Sequence, residues 1–228
     1  MIKYLLKFLF PPKCIFCKKL LPTNTEIEVC TECYDKITFY SGELLYTGDY
    51  IKIAWIDKVI CLCEYSGIIK DAVIRYKFFN KPGYYRTFAK LLSKKVKKMT
   101  NSLFFDIIIS VPLHSDREKE RGYNQSYLIS RLVGKEIGIP EASGILERTR
   151  NTPKQSLLGK EQRGLNIKGA FKVNNADKVK GKKILIIDDI LTTGSTLSEC
   201  GRVLTEAGAK SVTAAVIASG KKHLGKVY

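Results

Sequence analysis

The chain has no long apolar run. None of its 228 residues falls in a stretch that approaches the roughly 20 consecutive apolar residues of a membrane-spanning helix. We therefore expect no integral membrane segment. The start is largely apolar, but Lys7 interrupts it and no small-residue cleavage site follows, which favours a short packed helix over a signal peptide. The expected location is cytoplasmic, with a peripheral position at the inner membrane face as the alternative.

Two common phosphate-binding patterns are also missing. The Walker pattern G-x-x-x-x-G-K followed by Ser or Thr is absent, and so is G-x-G-x-x-G directly after a strand. The sequence has neither internal repeats nor low-complexity segments. With 45% hydrophobic residues it is long enough to bury a core. These features argue against the P-loop, dinucleotide-binding and repeat classes and favour an ordinary globular protein.

Acidic residues are few relative to basic ones. The 39 Lys and Arg residues against 22 Asp and Glu residues give a formal net charge of +17. A charge of this size favours association with polyanions such as nucleic acid or an anionic surface. The alternative is a solvated Lys-rich surface, and charge alone identifies no partner.

The most informative stretch runs from Ile184 to Thr196 and reads ILIIDDILTTGST. An aliphatic run predicts a buried parallel strand, and ligands bind at the carboxyl ends of such strands. The hydroxyl-rich loop that follows offers backbone N–H groups at a helix N-terminus, which suits a phosphate. The carboxylates of Asp188 and Asp189 suit a vicinal diol, so the pair of features describes a ribose 5-phosphate. The alternatives are a solvated acidic turn and a metal-binding acid pair as in receiver domains, whose loop pattern differs.

Cysteines occur as two C-x-x-C pairs near the start of the chain. This spacing is that of a four-thiolate zinc ribbon, with Cys14, Cys17, Cys30 and Cys33 as the ligands. Since the chain would fill all four positions, the predicted zinc is structural. A disulfide pairing or an Fe–S cluster is the competing interpretation. We expect Cys61, Cys63 and Cys200 to be core residues.

Strand and helix patterns alternate along the rest of the chain. This alternation predicts an α/β protein with a parallel twisted sheet flanked by helices, behind a small N-terminal zinc ribbon. The predicted strands are 59–65, 105–111, 170–173, the run that ends at the acid pair, and 212–218. The predicted helices are 68–79, 85–98, 124–137 and the segment after the Thr-Thr-Gly loop. The expected division is a zinc module (1–40), a connecting or hood segment (41–104) and an α/β domain (105–228).

Two further segments have the composition of anion-binding loops. A turn after the 105–111 strand contains Pro112, Leu113 and His114, with Arg117 and Arg121 following, and such a turn can collect a pyrophosphate. On its own it is only a basic turn, and a single histidine is more often structural than catalytic. The second segment, residues 147–171, is long, polar and cationic. It predicts a lid, with an ordinary surface loop as the alternative.

Taken in order along the chain, these motifs resemble those of the ComF family of competence-related proteins, in the type I phosphoribosyltransferase superfamily. The resemblance rests on the two zinc pairs, VPLH with RGYNQS, RTRNTPKQ with R-x-x-N-x-x-GAF, and DDILTTGST. The segment from Tyr65-Ser66-Gly67 to Lys77 also belongs to the pattern. It covers nearly the whole chain, and the ordered combination is far more specific than any one motif.

The resemblance implies a ligand and roles for individual residues. The ligand is 5-phosphoribosyl 1-diphosphate (PRPP) with Mg²⁺, and the family acts in the uptake of transforming DNA. The implied catalytic residues are Asp188, Asp189, Arg148 and Arg163. The residues implied to bind the ligand are Asp188, Asp189, Thr192, Thr193, Gly194, Ser195, Thr196, Pro112, Leu113, His114, Arg117 and Arg121.

One position departs from the purine-salvage members of the superfamily, which the resemblance implies carry an acid where this chain has Thr192. Purine transfer therefore loses its main support, and no acceptor is predicted. Two hypotheses remain. The first is an enzyme that transfers ribose 5-phosphate from PRPP, with release of pyrophosphate, to an unidentified acceptor during DNA uptake. The second is a non-catalytic module that binds single-stranded DNA or other DNA-uptake proteins and retains a PRPP site as a sensor or vestige.

Overall fold

A computed structural model describes residues 10–40, 45–46, 53–100, 104–152 and 166–220. The predicted N-terminal helix lies almost entirely outside these ranges. Arg163 and most of the predicted lid, residues 153–165, also lie outside them.

A five-stranded sheet forms the centre of the molecule. Its strands are β1 (Leu45–Tyr46), β2 (Lys58–Glu64), β3 (Ile107–Ser110), β6 (Lys183–Leu191) and β7 (Ser211–Ser219). They lie in the order β1-β2-β7-β6-β3, with β1 antiparallel at the edge and the other four parallel. A separate antiparallel pair consists of β4 (Leu146–Arg148) and β5 (Phe171–Val173). The predicted parallel sheet is confirmed.

Helices follow the strands as the alternating pattern predicts. They are α1 (Thr31–Tyr34), α2 (Gly67–Phe78), α3 (Tyr85–Thr100), α4 (Ser115–Arg121), α5 (Gln125–Ile137) and α6 (Ser195–Glu206). The bounds have local causes. Asn124 caps α5 by accepting hydrogen bonds from the N–H groups of Ser126 and Tyr127, and Gly138 ends it with a φ of 75° that glycine adopts without strain.

Alternate residues of the strands face opposite sides of the sheet, and each side has its own core. On one side Ile108, Leu185 and Ile187 pack with buried residues of α2, α3 and α5. On the other side Ile109, Ile184 and Ile186 pack with α6 and with the β4–β5 pair. Strands that are covered on both faces read as continuous apolar runs, which explains the sequence of β6.

The N-terminal module packs on the same side of the sheet as α2 and α3. Ile15 and Phe16 belong to the core that contains Phe88 of α3. Arg75 of α2 donates a hydrogen bond to the Ile15 carbonyl at 3.5 Å. Hydrophobic packing is therefore continuous across residue 40, and the predicted three-part division of the chain remains a prediction.

Two local expectations were wrong. The segment from Ser115 to Arg121, which the sequence presents as a basic turn, forms α4; none of its residues is buried, so no apolar periodicity signals it. The strand β6 does not end before the acid pair but continues to Leu191, because its ladder with β7 extends to the Leu191–Ser219 pair. The acid pair therefore lies within the strand.

Candidate functional site

A cleft of about 630 Å³ opens where β3 and β6 end. Its position is the one expected for ligand sites in parallel sheets, at the carboxyl ends of the strands. The predicted site residues that line it are Pro112, Leu113, Arg117, Arg121, Arg148, Asp188, Asp189, Thr192, Thr193, Gly194, Ser195 and Thr196. The cleft thus unites three segments that are far apart in the sequence.

The acid pair lies at the base of the cleft and is already partly engaged. Oδ1 of Asp188 accepts hydrogen bonds from Ser126 Oγ at 3.0 Å and from the backbone N–H of Asp189 at 2.8 Å. Oδ1 of Asp189 lies 2.8 Å from Nζ of Lys77. Within the described residues, Oδ2 of Asp189 is buried and has no hydrogen-bond partner. A buried orphan acceptor beside a cleft fits a ligand that brings a donor or a cation.

Burial and the neighbouring carboxylate change the ionisation of Asp188. Desolvation, followed by the charge of Asp189, raises the pKa of Asp188 from 3.8 to about 7, while Lys77 and the two hydrogen bonds act in the opposite direction. The site therefore holds negative charge that its surroundings stabilise poorly. Ligands that bring positive charge or hydroxyl donors relieve this state.

The loop after β6 presents hydroxyl groups and backbone N–H groups at the start of α6. Thr193 Oγ1 lies 2.9 Å from Ser195 Oγ and accepts a hydrogen bond from the Ser195 N–H at 3.3 Å. Gly194 is the residue before α6 and has no side chain with which to cap it. The first-turn N–H groups beyond that of Ser195, together with the positive end of the helix dipole, suit an anion.

Gly194 is required by the backbone and by its neighbour. Its φ of 88° lies in the left-handed region, which disfavours side chains. An added Cβ would lie 2.8 Å from Cγ1 of Ile53, a buried side chain of the core between the sheet and α6. The glycine of the Thr-Thr-Gly motif therefore permits both the turn and its close contact with the segment before β2.

The turn after β3 places Pro112 and Leu113 on the cleft wall and His114 beyond it. Nδ1 of His114 accepts a hydrogen bond from the backbone N–H of Asp116 at 3.3 Å, which caps α4. His114 is not among the residues that line the cleft. This contact matches the structural alternative for the histidine, and its predicted role in ligand binding stays a prediction.

Three arginines form the cationic side of the cleft. Arg148, at the end of β4, is almost fully buried and donates a hydrogen bond to Thr152 Oγ1, and Arg117 of α4 donates to the carbonyl of the same residue. Burial lowers the pKa of both guanidinium groups, and the charge of Arg117 lowers that of Arg148 further. Arg121 donates to Gln125 Oε1 and lies over the Phe78 ring. Cations held close together in this way are arranged to bind an anion.

Several residues that line the cleft were not predicted as site residues. The polar and aromatic ones are Tyr65, Lys77, Phe78, Asn80, Glu120, Gln125 and Ser126. Ser126 and Gln125 stand inside the RGYNQS motif, so proximity to Arg121 was an available signal. Tyr65 and Lys77 delimit a segment that supports the family resemblance, but nothing local to that segment indicates that it reaches the acid pair.

The four predicted zinc ligands come together in the N-terminal module. The sulfur atoms of Cys14, Cys17, Cys30 and Cys33 all lie within 4.8 Å of one another. Burial raises the pKa of Cys14, but hydrogen bonds, first from the backbone N–H groups of Cys17, Cys30 and Phe16, outweigh it and lower the pKa to about 7. Four converging thiols with N–H donors fit a closed zinc site. The other described cysteines, Cys61, Cys63 and Cys200, are buried in the two cores as predicted.

Comparison with known proteins agrees with both halves of the molecule. The phosphoribosyl transferase domain matches residues 87–228, and the double zinc ribbon domain matches residues 5–44. Competence protein F of Haemophilus influenzae is 30% identical over 205 residues, which cover 87% of this chain and 86% of that protein. The chain belongs to the ComF family. The four cysteines are accordingly the ligand set of a structural zinc ribbon.

Other ComF relatives match a shorter part of the chain. The DNA utilization protein YhgH of Escherichia coli K12 is 30% identical and covers 68% of this chain and 69% of its own length. Competence protein ComFC of Streptococcus pneumoniae is 33% identical and covers 65% of this chain and 62% of its own length. No helix in the described part of this ComF protein combines the length and apolar character that crossing a membrane requires.

Proposed function

We propose that this ComF protein binds PRPP with Mg²⁺ in the cleft and transfers its ribose 5-phosphate, with release of pyrophosphate, to an acceptor that remains unassigned. The reaction would serve competence and DNA uptake, and we propose a cytoplasmic location for it. The observation that supports the proposal most strongly is that three groups of predicted ligand-binding residues line the same cleft. The acid pair, the Thr192–Thr196 loop and the three arginines all line one cavity.

Each part of the cleft has a role in this proposal. The loop and the N-terminus of α6 hold the 5-phosphate, and Asp188 and Asp189 accept the two ribose hydroxyls. Mg²⁺ fits the donor set, because carboxylate and ligand oxygens are the hard ligands that it prefers. Asp188 and Asp189 would hold it through the ribose hydroxyls, and when bound it supplies positive charge to the diphosphate.

The chain's own contribution to transfer is electrostatic. The bond from C1 to the diphosphate oxygen breaks, the bond from C1 to the acceptor forms, and the acceptor gives up a proton. Negative charge then develops on the diphosphate, and Arg117 and Arg148, which line the cleft, are the cations expected to stabilise it. Arg163 remains a proposed contributor from outside the described residues.

Pyrophosphate release tests the enzymatic half of the proposal. The protein, PRPP and Mg²⁺ are incubated with a panel of acceptors that includes nucleobases, amines and single-stranded DNA, and pyrophosphate is measured enzymatically. Release above the rate of the Asp188→Asn/Asp189→Asn variant with any acceptor supports transfer. Absence of release with every acceptor would contradict it.

A second candidate function is binding of single-stranded DNA, and a groove beside the cleft favours it. The groove is lined by Asn80, Pro82, Gly83, Tyr85, Arg86, Lys119, Glu120, Arg121, Gly122, Tyr123 and Leu128. Phe79, which directly precedes the groove residue Asn80, is 63% exposed, and Phe78 is exposed as well. Exposed rings that alternate with cations are the usual means of binding unpaired bases without sequence preference.

Titration of a fluorescent oligothymidine tests this second candidate. We expect affinity to fall steeply with salt, and the Phe79→Ala variant to bind about tenfold more weakly, since one stacked base contributes about 1–3 kcal/mol. Phe104→Ala is the matched control, because Phe104 is 68% exposed and is not next in sequence to any residue that lines the groove, whereas Phe79 directly precedes Asn80, which does. A flat salt response, or equal affinity of the two variants, would contradict DNA binding at this groove.

A further inference from the structure

Lys77 forms an ion pair with Asp189 of the acid pair, although it lies outside the matched phosphoribosyl transferase domain. It stands in the last turn of α2, before the start of the matched domain at residue 87. Its Nζ lies 2.8 Å from Oδ1 of Asp189, and the two side chains are 20% and 5% exposed. The contact is therefore a largely buried ion pair within the cleft.

Lys77 pairs with one of the two carboxylate oxygens of Asp189. Oδ1 lies 2.8 Å from Nζ of Lys77, and Oδ2 is buried without a hydrogen-bond partner within the described residues. Oδ1 of Asp188 already accepts hydrogen bonds from Ser126 and from the Asp189 N–H. A ribose hydroxyl that binds Oδ1 of Asp189 must therefore displace the ammonium group of Lys77, and one that binds Oδ2 shares the carboxylate with it.

The backbone of Lys77 is anchored, so the exchange involves its side chain. The neighbouring Tyr76 is fully buried, and its hydroxyl donates to the Gln125 carbonyl at 2.8 Å. The hydroxyl of Tyr123 donates to the backbone carbonyl of Tyr76. A lysine has a flexible four-carbon stem, so its ammonium group can change partners while the helix stays in place.

Displacement of Lys77 is favourable only for certain ligands. Removing one partner of a buried ion pair leaves an uncompensated charge, which is strongly unfavourable. A ligand must therefore bring a cation for Asp189, an anion for Lys77, or both. A ribose 5-phosphate with a free anomeric hydroxyl brings neither to this end of the cleft, because its phosphate is directed to the Thr192–Thr196 loop.

We propose that Lys77 is a specificity-determining residue of the cleft. It selects ribose 5-phosphates that carry a second anionic group with a bound divalent cation, and it disfavours those with a bare anomeric hydroxyl. This inference rests on the proposed function, because it assumes that the acid pair receives the ribose diol. Lys77 lies before the matched domain, so the segment that precedes the domain would supply a residue that discriminates between ligands.

Calorimetric titration with two probes tests the proposal. PRPP and ribose 5-phosphate, each with Mg²⁺, are titrated into the wild-type chain, Lys77→Met and Lys70→Met. Lys70 is the matched control, since it lies on the same helix, is exposed and does not line the cleft. In Lys77→Met we expect weaker PRPP binding and tighter ribose 5-phosphate binding, so that the ratio of the two affinities falls by roughly tenfold or more.

The outcomes separate the inference from the function on which it rests. If the wild-type chain binds PRPP and the ratio is unchanged in Lys77→Met, the inference is wrong and the proposed function stands. If the wild-type chain binds neither probe, both are wrong. Lys77→Arg retains the charge and should retain most of the discrimination. Lys77→Gln provides the same measurement if thermal denaturation shows that the methionine variant does not fold.

Discussion

The zinc ribbon and the cleft both bring ionisable side chains together. In the ribbon a bound metal would compensate their charge, whereas in the cleft part of the charge has no partner. In the ribbon, four thiols converge, and together they would supply every ligand of a tetrahedral zinc ion. In the cleft, two adjacent carboxylates and three arginines line one cavity, and within the described residues Asp189 Oδ2 and Arg148 Nε are buried without hydrogen-bond partners. The ribbon contributes stability, whereas the cleft stores unfavourable electrostatic energy that a ligand can relieve.

The largest expected effect is a loss of stability when a zinc ligand of the ribbon is replaced. We predict that Cys33→Ser loses zinc and that the free energy of unfolding falls by more than about 3 kcal/mol, because structural zinc binding contributes directly to folding. Zinc content by mass spectrometry and thermal denaturation measure this effect. Cys63→Ala, which removes a buried thiol outside the cluster, is the control and should keep the metal. Retention of zinc by Cys33→Ser would contradict the assignment.

A smaller loss of stability is expected from Gly194→Ala. The substitution places a side chain at a φ of 88° and a Cβ 2.8 Å from Ile53, so we expect a loss of about 1–3 kcal/mol and a displaced loop. Chemical denaturation measures the difference. Gly144→Ala is the control, because its Cβ would meet nothing within 4 Å and its φ lies outside the left-handed region. Equal stability of the two variants would show that the loop is not held as described.

The smallest expected effect has the opposite sign. A substitution in the cleft, Asp188→Asn, should increase the stability of the protein, whereas a substitution in the zinc ribbon decreases it. The pKa of Asp188 is raised to about 7, so the native state keeps a proton that the unfolded chain has already lost above about pH 4. Stability from this group is therefore lost as pH rises through about 7. Asp188→Asn removes the penalty and can keep both hydrogen bonds at Oδ1.

We therefore predict that the stability of Asp188→Asn relative to the wild-type chain rises by about 1–2 kcal/mol as the pH rises from about 4 to about 7, and stays constant above that range. Thermal denaturation across that range, without added Mg²⁺, measures the gain. A difference between the two proteins that does not change with pH would contradict the assignment of strained charge to Asp188.

How much could be predicted from the sequence depended on the distance between the residues involved. The acid pair, the Thr-Thr-Gly loop and each cysteine pair are formed by neighbours in the chain, so their spacing indicates their chemistry. The ion pair between Lys77 and Asp189 depends on how α2 packs beside the carboxyl end of β6, and no local pattern encodes that contact. The extension of β6 beyond the acid pair likewise depends on its pairing with β7. The helix α4 was not predicted, because none of its residues is buried and its sequence therefore shows no apolar periodicity.

Binding of PRPP with Mg²⁺ to the wild-type chain and to Asp188→Asn/Asp189→Asn, measured by calorimetry, tests the central claim most directly. Zinc content and thermal denaturation of both proteins confirm that the ribbon and the fold are intact. We predict that the wild-type chain binds and that the double variant loses affinity on the order of a hundredfold or more, since each carboxylate accepts a charge-assisted hydrogen bond. Equal affinity of the two proteins, or no binding by the wild-type chain, would contradict the claim that the cleft holds a ribose 5-phosphate through its acid pair.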